Sequence, residues 1–392
     1  MRRLKPAIDY NPQYMLGSLG AGGIAVTFFI YLMFMIKHPK RPMVTFDEIY
    51  PQIINSPFII KILIIAVLIA IVFFAFLHFR YLIWNLKNIR EFKKTYSYQT
   101  MMDSNGEISM MVIPLTLAMS INVGFILGAV FIPKLWTIVE YLFPGALLAF
   151  FAVAYYAVKI FFNYFLRLLE KGGFNETSNN NFSQLIAIFA FSMIAVGFAA
   201  PGAMSHTKAF NAIGLFFSAT FLTVAIMLML IQYSMAFRAM MTQGIAEEAV
   251  PTIWVLIPIF TLWGITIIRY INGLSHHFEF SFGLGAYYIF TSAVVGIQLM
   301  FGLFGFLLMI KIGYFKEYLF GEKKHASSFA LICPGVAFFV FGMFFINFGM
   351  VSNKIIQKFT APYYLMLIPF FLIQVITIVL YLKLNKRLLT KQ

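Results

Sequence analysis

The chain has one cysteine, Cys333, followed directly by Pro334 and Gly335. Proline removes a backbone donor and glycine adds conformational freedom, so a thiol at this triplet sits beside a break in any helix that carries it. Three chemistries suit such a thiol: a nucleophile, a redox sensor, or a soft contact for a chalcogen. The plainer use is as a small buried hydrophobe. One thiol makes neither an internal disulfide nor a thioredoxin-like pair, and no basic residue adjoins it in sequence to favour a thiolate.

A second pattern is Thr116, Ser120, Gly124 and Gly128, spaced by four and so sharing one helical stripe. Hydroxyls and bare backbone hold an anion weakly, which conduction requires, since tight binding blocks exit. The same stripe also serves as a small-residue packing face between helices. Asn122 falls on a different face.

Several chemistries lack their residues. His38, His78, His206, His276, His277 and His325 give no metal or haem spacing, and the His276-His277 pair is too short a cluster. No Walker loop is present, and Gly20-Ala21-Gly22-Gly23 lacks the strand-turn-helix setting of a dinucleotide site. No metal and no cofactor is expected. The acidic residues fall in loops or near span ends, with Glu140 deepest, and Lys61, Lys159, Arg269 and Lys311 lie close enough to ends to snorkel. Coupled pumps use ionisable groups inside the bilayer. Their absence favours passive flow and leaves selectivity to pore width and weak polar contacts.

The elements that position these residues follow from composition. Of 392 residues, 61% are hydrophobic and 11% charged, against roughly 45–50% and about 25% in soluble domains. A soluble enzyme, a disordered chain and a nucleic-acid reader are excluded. The net charge of +15 sits in short loops, where it orients a membrane protein. Ten continuous apolar stretches lie near 14–36, 58–82, 108–132, 136–166, 182–203, 210–236, 250–272, 284–312, 326–349 and 362–384. They are too long and too uniform for barrel strands. The expected fold is an all-α polytopic membrane protein with one transmembrane domain over 14–384. It is flanked by a cytoplasmic segment, 1–13, and a basic cytoplasmic tail, 385–392. The start, Met1-Arg2-Arg3-Leu4-Lys5, resembles a signal n-region, but the following stretch reads as a retained span. With ten spans, 20 Lys and Arg fall on the side of both termini and 9 on the other. The positive-inside rule then puts both termini in the cytoplasm, and the membrane expected is a bacterial inner membrane. The longest outer segment, around Pro39, Pro42, Pro51 and Pro57, reads as a solvated connector, with a mouth cover or a subunit contact as alternatives.

Helix breakers concentrate in odd spans: Gly17, Gly20, Gly22 and Gly23; Pro114, Gly124 and Gly128; Gly197, Pro201 and Gly202; Pro258 and Gly264; Pro334 and Gly335. Broken helices are tolerated around a cavity, where freed backbone groups find partners. Five helix hairpins are expected, odd spans inside and even spans outside, with Pro114 and Pro258 among the pore-lining candidates. Ordinary packing through small residues is the alternative.

Phe92-Lys93-Lys94-Thr95-Tyr96, then Val112-Ile113-Pro114-Leu115-Thr116, Arg167-Leu168-Leu169-Glu170 and Pro334-Gly335 occur in an order that resembles the tellurite-resistance/dicarboxylate transporter family. That family includes bacterial TehA-like proteins and plant slow anion channels, and the resemblance runs from Gly17 to Leu384. It implies five hairpins in a ring, a homotrimer, and a central pore for anions or weak acids. The family plugs its pore with a phenylalanine on the ninth helix. The corresponding position here is Ile332, with Phe329 and Phe338 as the nearby phenylalanines. The Cys333-Pro334-Gly335 triplet is similar to a branch called TsoY, some of whose members resemble selenoproteins. The resemblance thus implies a channel or facilitator for small inorganic, sulfur-containing or dicarboxylate anions. Two other readings remain: a membrane redox or thiol-transfer protein using Cys333, and a non-transporting subunit of a membrane complex.

Overall fold

The structure is a computed structural model that describes residues 10–39 and 41–389. Arg2, Arg3, Lys5, Lys40 and Lys391 of the charge count, and the outer parts of both terminal segments, lie outside the described residues. Among those described there is no strand. Among the described residues, ten helices are long and apolar enough to cross a membrane: Pro12–Met35, Phe58–Phe92, Asn105–Phe131, Leu135–Lys171, Ser183–Met204, Lys208–Gln243, Glu247–His277, Leu284–Ile312, Ala326–Val351 and Ala361–Leu389. The fold is an all-α polytopic membrane protein.

Several even spans overrun their expected ends. The second runs to Phe92 rather than stopping near Arg80. Its Arg80, Lys87 and Arg90 are good helix formers, so the helix continues after hydropathy has fallen. At 35 residues it extends about 52 Å, well beyond a hydrocarbon core of roughly 30 Å. Gly172 and Gly244 end the fourth and sixth helices at φ of 69° and 74°, a backbone region other residues avoid.

The spans sort into two layers. In the odd spans 61–89% of the most apolar window is buried within the protein, against 22–39% in the even ones. Even spans turn Phe58, Leu148, Leu230, Met300 and Val379 outward, as lipid contact requires. Each even span packs on the odd span before it. The odd spans pack in succession, first on third, third on fifth, fifth on seventh, seventh on ninth, and ninth on first.

Glycines make this contact close. A Cβ at Gly20 would stand 2.8 Å from the Ile332 side chain, and one at Gly264 would collide with the Phe341 ring. The small residues of the odd spans thus serve as sockets for neighbouring side chains. The prolines also differ from expectation. A 3₁₀ turn opens every odd span, at Pro12–Tyr14, Asn105–Met111, Ser183–Leu185, Glu247–Val255 and Ala326–Leu331. Pro114, Pro258 and Pro334 are each the third residue of the α-helix that follows. They mark the change of helix type near the entry and put no kink at mid-span, so Cys333 lies at a helix start.

Polar contacts fasten the outer layer to the inner. His78 Nε2 lies 2.8 Å from Ser120 Oγ, and Gln298 Nε2 donates to Thr261 Oγ1 at 2.5 Å. Gln374 Nε2 donates to Thr27 Oγ1 at 2.8 Å, and Ser218 Oγ to the Ala195 carbonyl at 2.6 Å. Such interhelical bonds contribute about 0.6 kcal/mol on average in membranes.

Two expected irregular segments are ordered. The connector after the first span contains a helix, Phe46–Asn55, started by a reciprocal cap in which Thr45 N and Oγ1 both donate to Glu48. Asn385–Leu389 continues the tenth helix rather than forming a free tail. Leu388 and Leu389 are buried, and Arg387 donates to the carbonyls of Leu319, Gly321 and Lys323.

Candidate functional site

Each odd span turns a stripe toward the middle of the protein, and the stripes share one spacing. Leu19, Gly23, Val26 and Ile30 of the first span follow i, i+4, i+7, i+11. So do Phe189, Met193, Val196 and Ala200 of the fifth, Pro258, Leu262, Ile265 and Arg269 of the seventh, and Cys333, Ala337, Val340 and Phe344 of the ninth. The third contributes Met119, Asn122 and Ile126 at the last three positions. That spacing defines one face of a helix. Together the faces enclose a cavity of about 220 Å³. Phe143 and Phe150 of the fourth span also reach its wall, and Met43 of the outer connector joins its lining.

A second cavity, about 60 Å³, lies among the entries of the same spans. Here too the positions repeat, as a polar residue and an apolar one three places later. The pairs are Gln13 and Leu16, Ser109 and Val112, Ser183 and Ile186, Thr252 and Val255, Ser327 and Ala330. Phe189, Pro258 and Cys333 line both cavities and therefore form the partition between them. Phe189 is the one bulky side chain of the three, and only 4% of its surface is exposed.

The expected site residues divide. Cys333 and Pro258 face both cavities. Phe329, Ile332, Pro334, Gly335 and Phe338 line neither. Phe329 packs against Gly17 and Ile332 against Gly20. Phe338 packs against Phe370 of the tenth span with rings tilted and centroids 4.8 Å apart, and Gly335 meets Thr377 there.

Pro114, Thr116, Ser120, Gly124 and Gly128 also line neither cavity. The Thr116 hydroxyl donates to the Val112 carbonyl at 2.8 Å, and Ser120 is held by His78. The third span presents Asn122 inward instead, beside the Met193 sulfur at 3.5 Å. Of this stripe, Ser120 meets the outer layer, Thr116 bonds its own helix, and a Cβ at Gly124 would meet nothing within 4 Å.

Arg269 is the larger departure. The seventh helix continues to His277, so Arg269 lies eight residues, about 12 Å, from its end. It lines the large cavity and is the one charged residue to do so among the described residues. Its Nη1 donates to the Val196 carbonyl at 2.5 Å, and among the described residues no carboxylate lies within ion-pair distance. Arginines within membrane spans are costly and face the bundle interior or a cavity. The deepest carboxylate expected from sequence, Glu140, instead ties the fourth span to the connector between the fifth and sixth by accepting from Ser205 Oγ and His206 N, each at 2.8 Å.

Asn122, Phe189 and Arg269 were missed by the sequence reading. The signal for them was the recurring face: six places after each entry polar residue, then four, seven and eleven further on.

No protein-family model, curated protein or solved structure matches this chain.

Proposed function

We propose that this chain is a passive channel or facilitator for small anions, with its path running through the two cavities along the axis of the five odd spans. The observation that carries the reading is their alignment. Five odd spans contribute equivalent positions to both cavities, and Phe189, Pro258 and Cys333 line both. The succession of contacts from first span to ninth and back to first fits a ring of five hairpins. A wall that is apolar apart from a few polar groups suits rapid passage, since weak sites release what they bind. The cavity wall holds a cation and no carboxylate among the described residues, which favours anions over metal cations.

The resemblance to the tellurite-resistance/dicarboxylate transporter family supplies the finer reading: a homotrimer, and small inorganic, sulfur-containing or dicarboxylate anions as cargo. The charge bias of the loops supports cytoplasmic termini, and a bacterial inner membrane goes with the resemblance. The test is flux in proteoliposomes of purified protein under an imposed potential, with chloride, nitrate, thiosulfate and a dicarboxylate. Potential-driven anion flux supports the reading, and protein-free leak rates for all four contradict it.

A further inference from the structure

We infer that Arg269, with Asn122 one turn nearer the span entries, forms a discrete binding site for a small oxoanion inside the large cavity. The inference rests on the permeation reading for its role, and on side-chain geometry for its existence. A guanidinium is a planar fork of five N–H donors that matches a carboxylate-like or nitrate-like edge. Here one protein acceptor, the Val196 carbonyl, is given to it. Other arginines that reach inward are better satisfied. Arg41 meets Asp47 and Glu48, Arg167 meets Glu107 and the Ser104 carbonyl, and Arg387 meets three carbonyls. Arg269 alone among these faces a cavity.

Its surroundings give it no competing partner. At its own level the wall is Ile30, Ile126, Ala200 and Phe344. One turn nearer the entries, at the level of Val196, lie Val26, Ile265, Val340 and Asn122. The bond to Val196 draws the guanidinium toward that level, where the Asn122 amide supplies the next polar group. A cation among apolar walls attracts an anion strongly because little water screens it. An oxoanion satisfies several N–H donors together, whereas a cation meets no acidic partner. The single carbonyl anchor holds the fork without neutralising it, so the anion is retained loosely enough to leave.

The test uses nitrate as probe and the intact purified protein in detergent. The unfolding midpoint is followed against nitrate at constant ionic strength with gluconate as the balancing anion, for wild type, Arg269→Gln, Arg269→Lys and Asn122→Leu. The expected result is a saturable rise for wild type. Arg269→Gln should weaken apparent affinity by roughly tenfold or more, with smaller losses for Arg269→Lys and Asn122→Leu. No saturable nitrate effect on wild type, or equal affinity in Arg269→Gln, overturns the site. If Arg269→Gln fails to fold, Asn122→Leu and Arg269→Lys decide, and unchanged nitrate affinity in both overturns it. Liposome flux separates this from the permeation reading. Nitrate flux that keeps its nitrate-over-potassium selectivity in Arg269→Gln sinks the site and leaves the channel. Nitrate binding without flux sinks the channel and leaves the site.

Discussion

Nη1 of Arg269 donates to the main-chain carbonyl of Val196, joining the seventh span to the fifth across the wall of the large cavity. Both residues belong to the inward stripes, at the i+11 and i+7 positions of their spans. The bond fixes the height of a positive charge within an otherwise apolar passage. It also links charge to shape, because the fifth span carries Phe189 one stripe position below Met193, at the partition.

Phe189→Ala should join the two cavities. It removes the one bulky side chain of the partition, so anion flux per protein should rise several-fold in proteoliposomes. Phe→Ala in a packed interior costs about 3–5 kcal/mol, so the variant should be compared at a temperature where both proteins remain folded. Phe329→Ala and Phe338→Ala, which alter packing on Gly17 and Phe370, should leave conductance near wild type. A rise in either of those two and none in Phe189→Ala contradicts the assignment of the partition.

Cys333 should report the same barrier. It lines both cavities and is buried, with 8% of its surface exposed. Labelling of native protein by a small methanethiosulfonate reagent should be slow in wild type and faster in Phe189→Ala. Equal rates in the two proteins would mean that Phe189 does not control access.

Gly264→Ala should destabilise the protein without touching any polar group. Its Cβ would enter the Phe341 ring, where the seventh and ninth spans pack closely. Overpacking of this kind costs about 1–3 kcal/mol, visible as a lower unfolding midpoint. Gly124→Ala, where a Cβ meets nothing within 4 Å, should be neutral by comparison. A lowered midpoint in Gly124→Ala and none in Gly264→Ala would contradict the packing.

Acid should loosen the entry of the ninth span through His325. Its Nδ1 accepts from the Ser327 N–H at 3.2 Å, which needs an unprotonated nitrogen. Burial holds the imidazole below its ordinary pKa, partly opposed by Glu248. A depressed histidine stabilises fully above its unfolded value and loses that contribution as pH falls through the lower folded value. The midpoint difference between wild type and His325→Ala should therefore shrink from about pH 7.5 to about pH 5. A difference independent of pH contradicts the cap.

The ten spans were legible because continuous apolar runs have one solution in lipid, and the breakers pointed to the correct inner layer. Their role was misread. Gly20 and Gly264 admit neighbouring side chains, and Pro114, Pro258 and Pro334 sit at helix entries. The face of the third span was misjudged because a hydroxyl in a membrane helix finds its nearest acceptor: Thr116 its own helix, Ser120 an outer histidine. Arg269 was expected to snorkel near a span end, and the structure sets it on the cavity face, eight residues before His277. Hydropathy averages over a helix and carries no information about which face is inward. The repeated polar entry residue does carry it, since the register counted from Ser183, Thr252 and Ser327 lands on Phe189, Pro258 and Cys333.

The central claim is a passive anion path through the odd spans, and the reversal potential tests it most directly. Purified protein in a planar bilayer, with a potassium nitrate gradient, should reverse close to the nitrate equilibrium potential, and Phe189→Ala should do so with larger current. Reversal at the potassium potential, or no current from wild type and Phe189→Ala alike, would contradict the account.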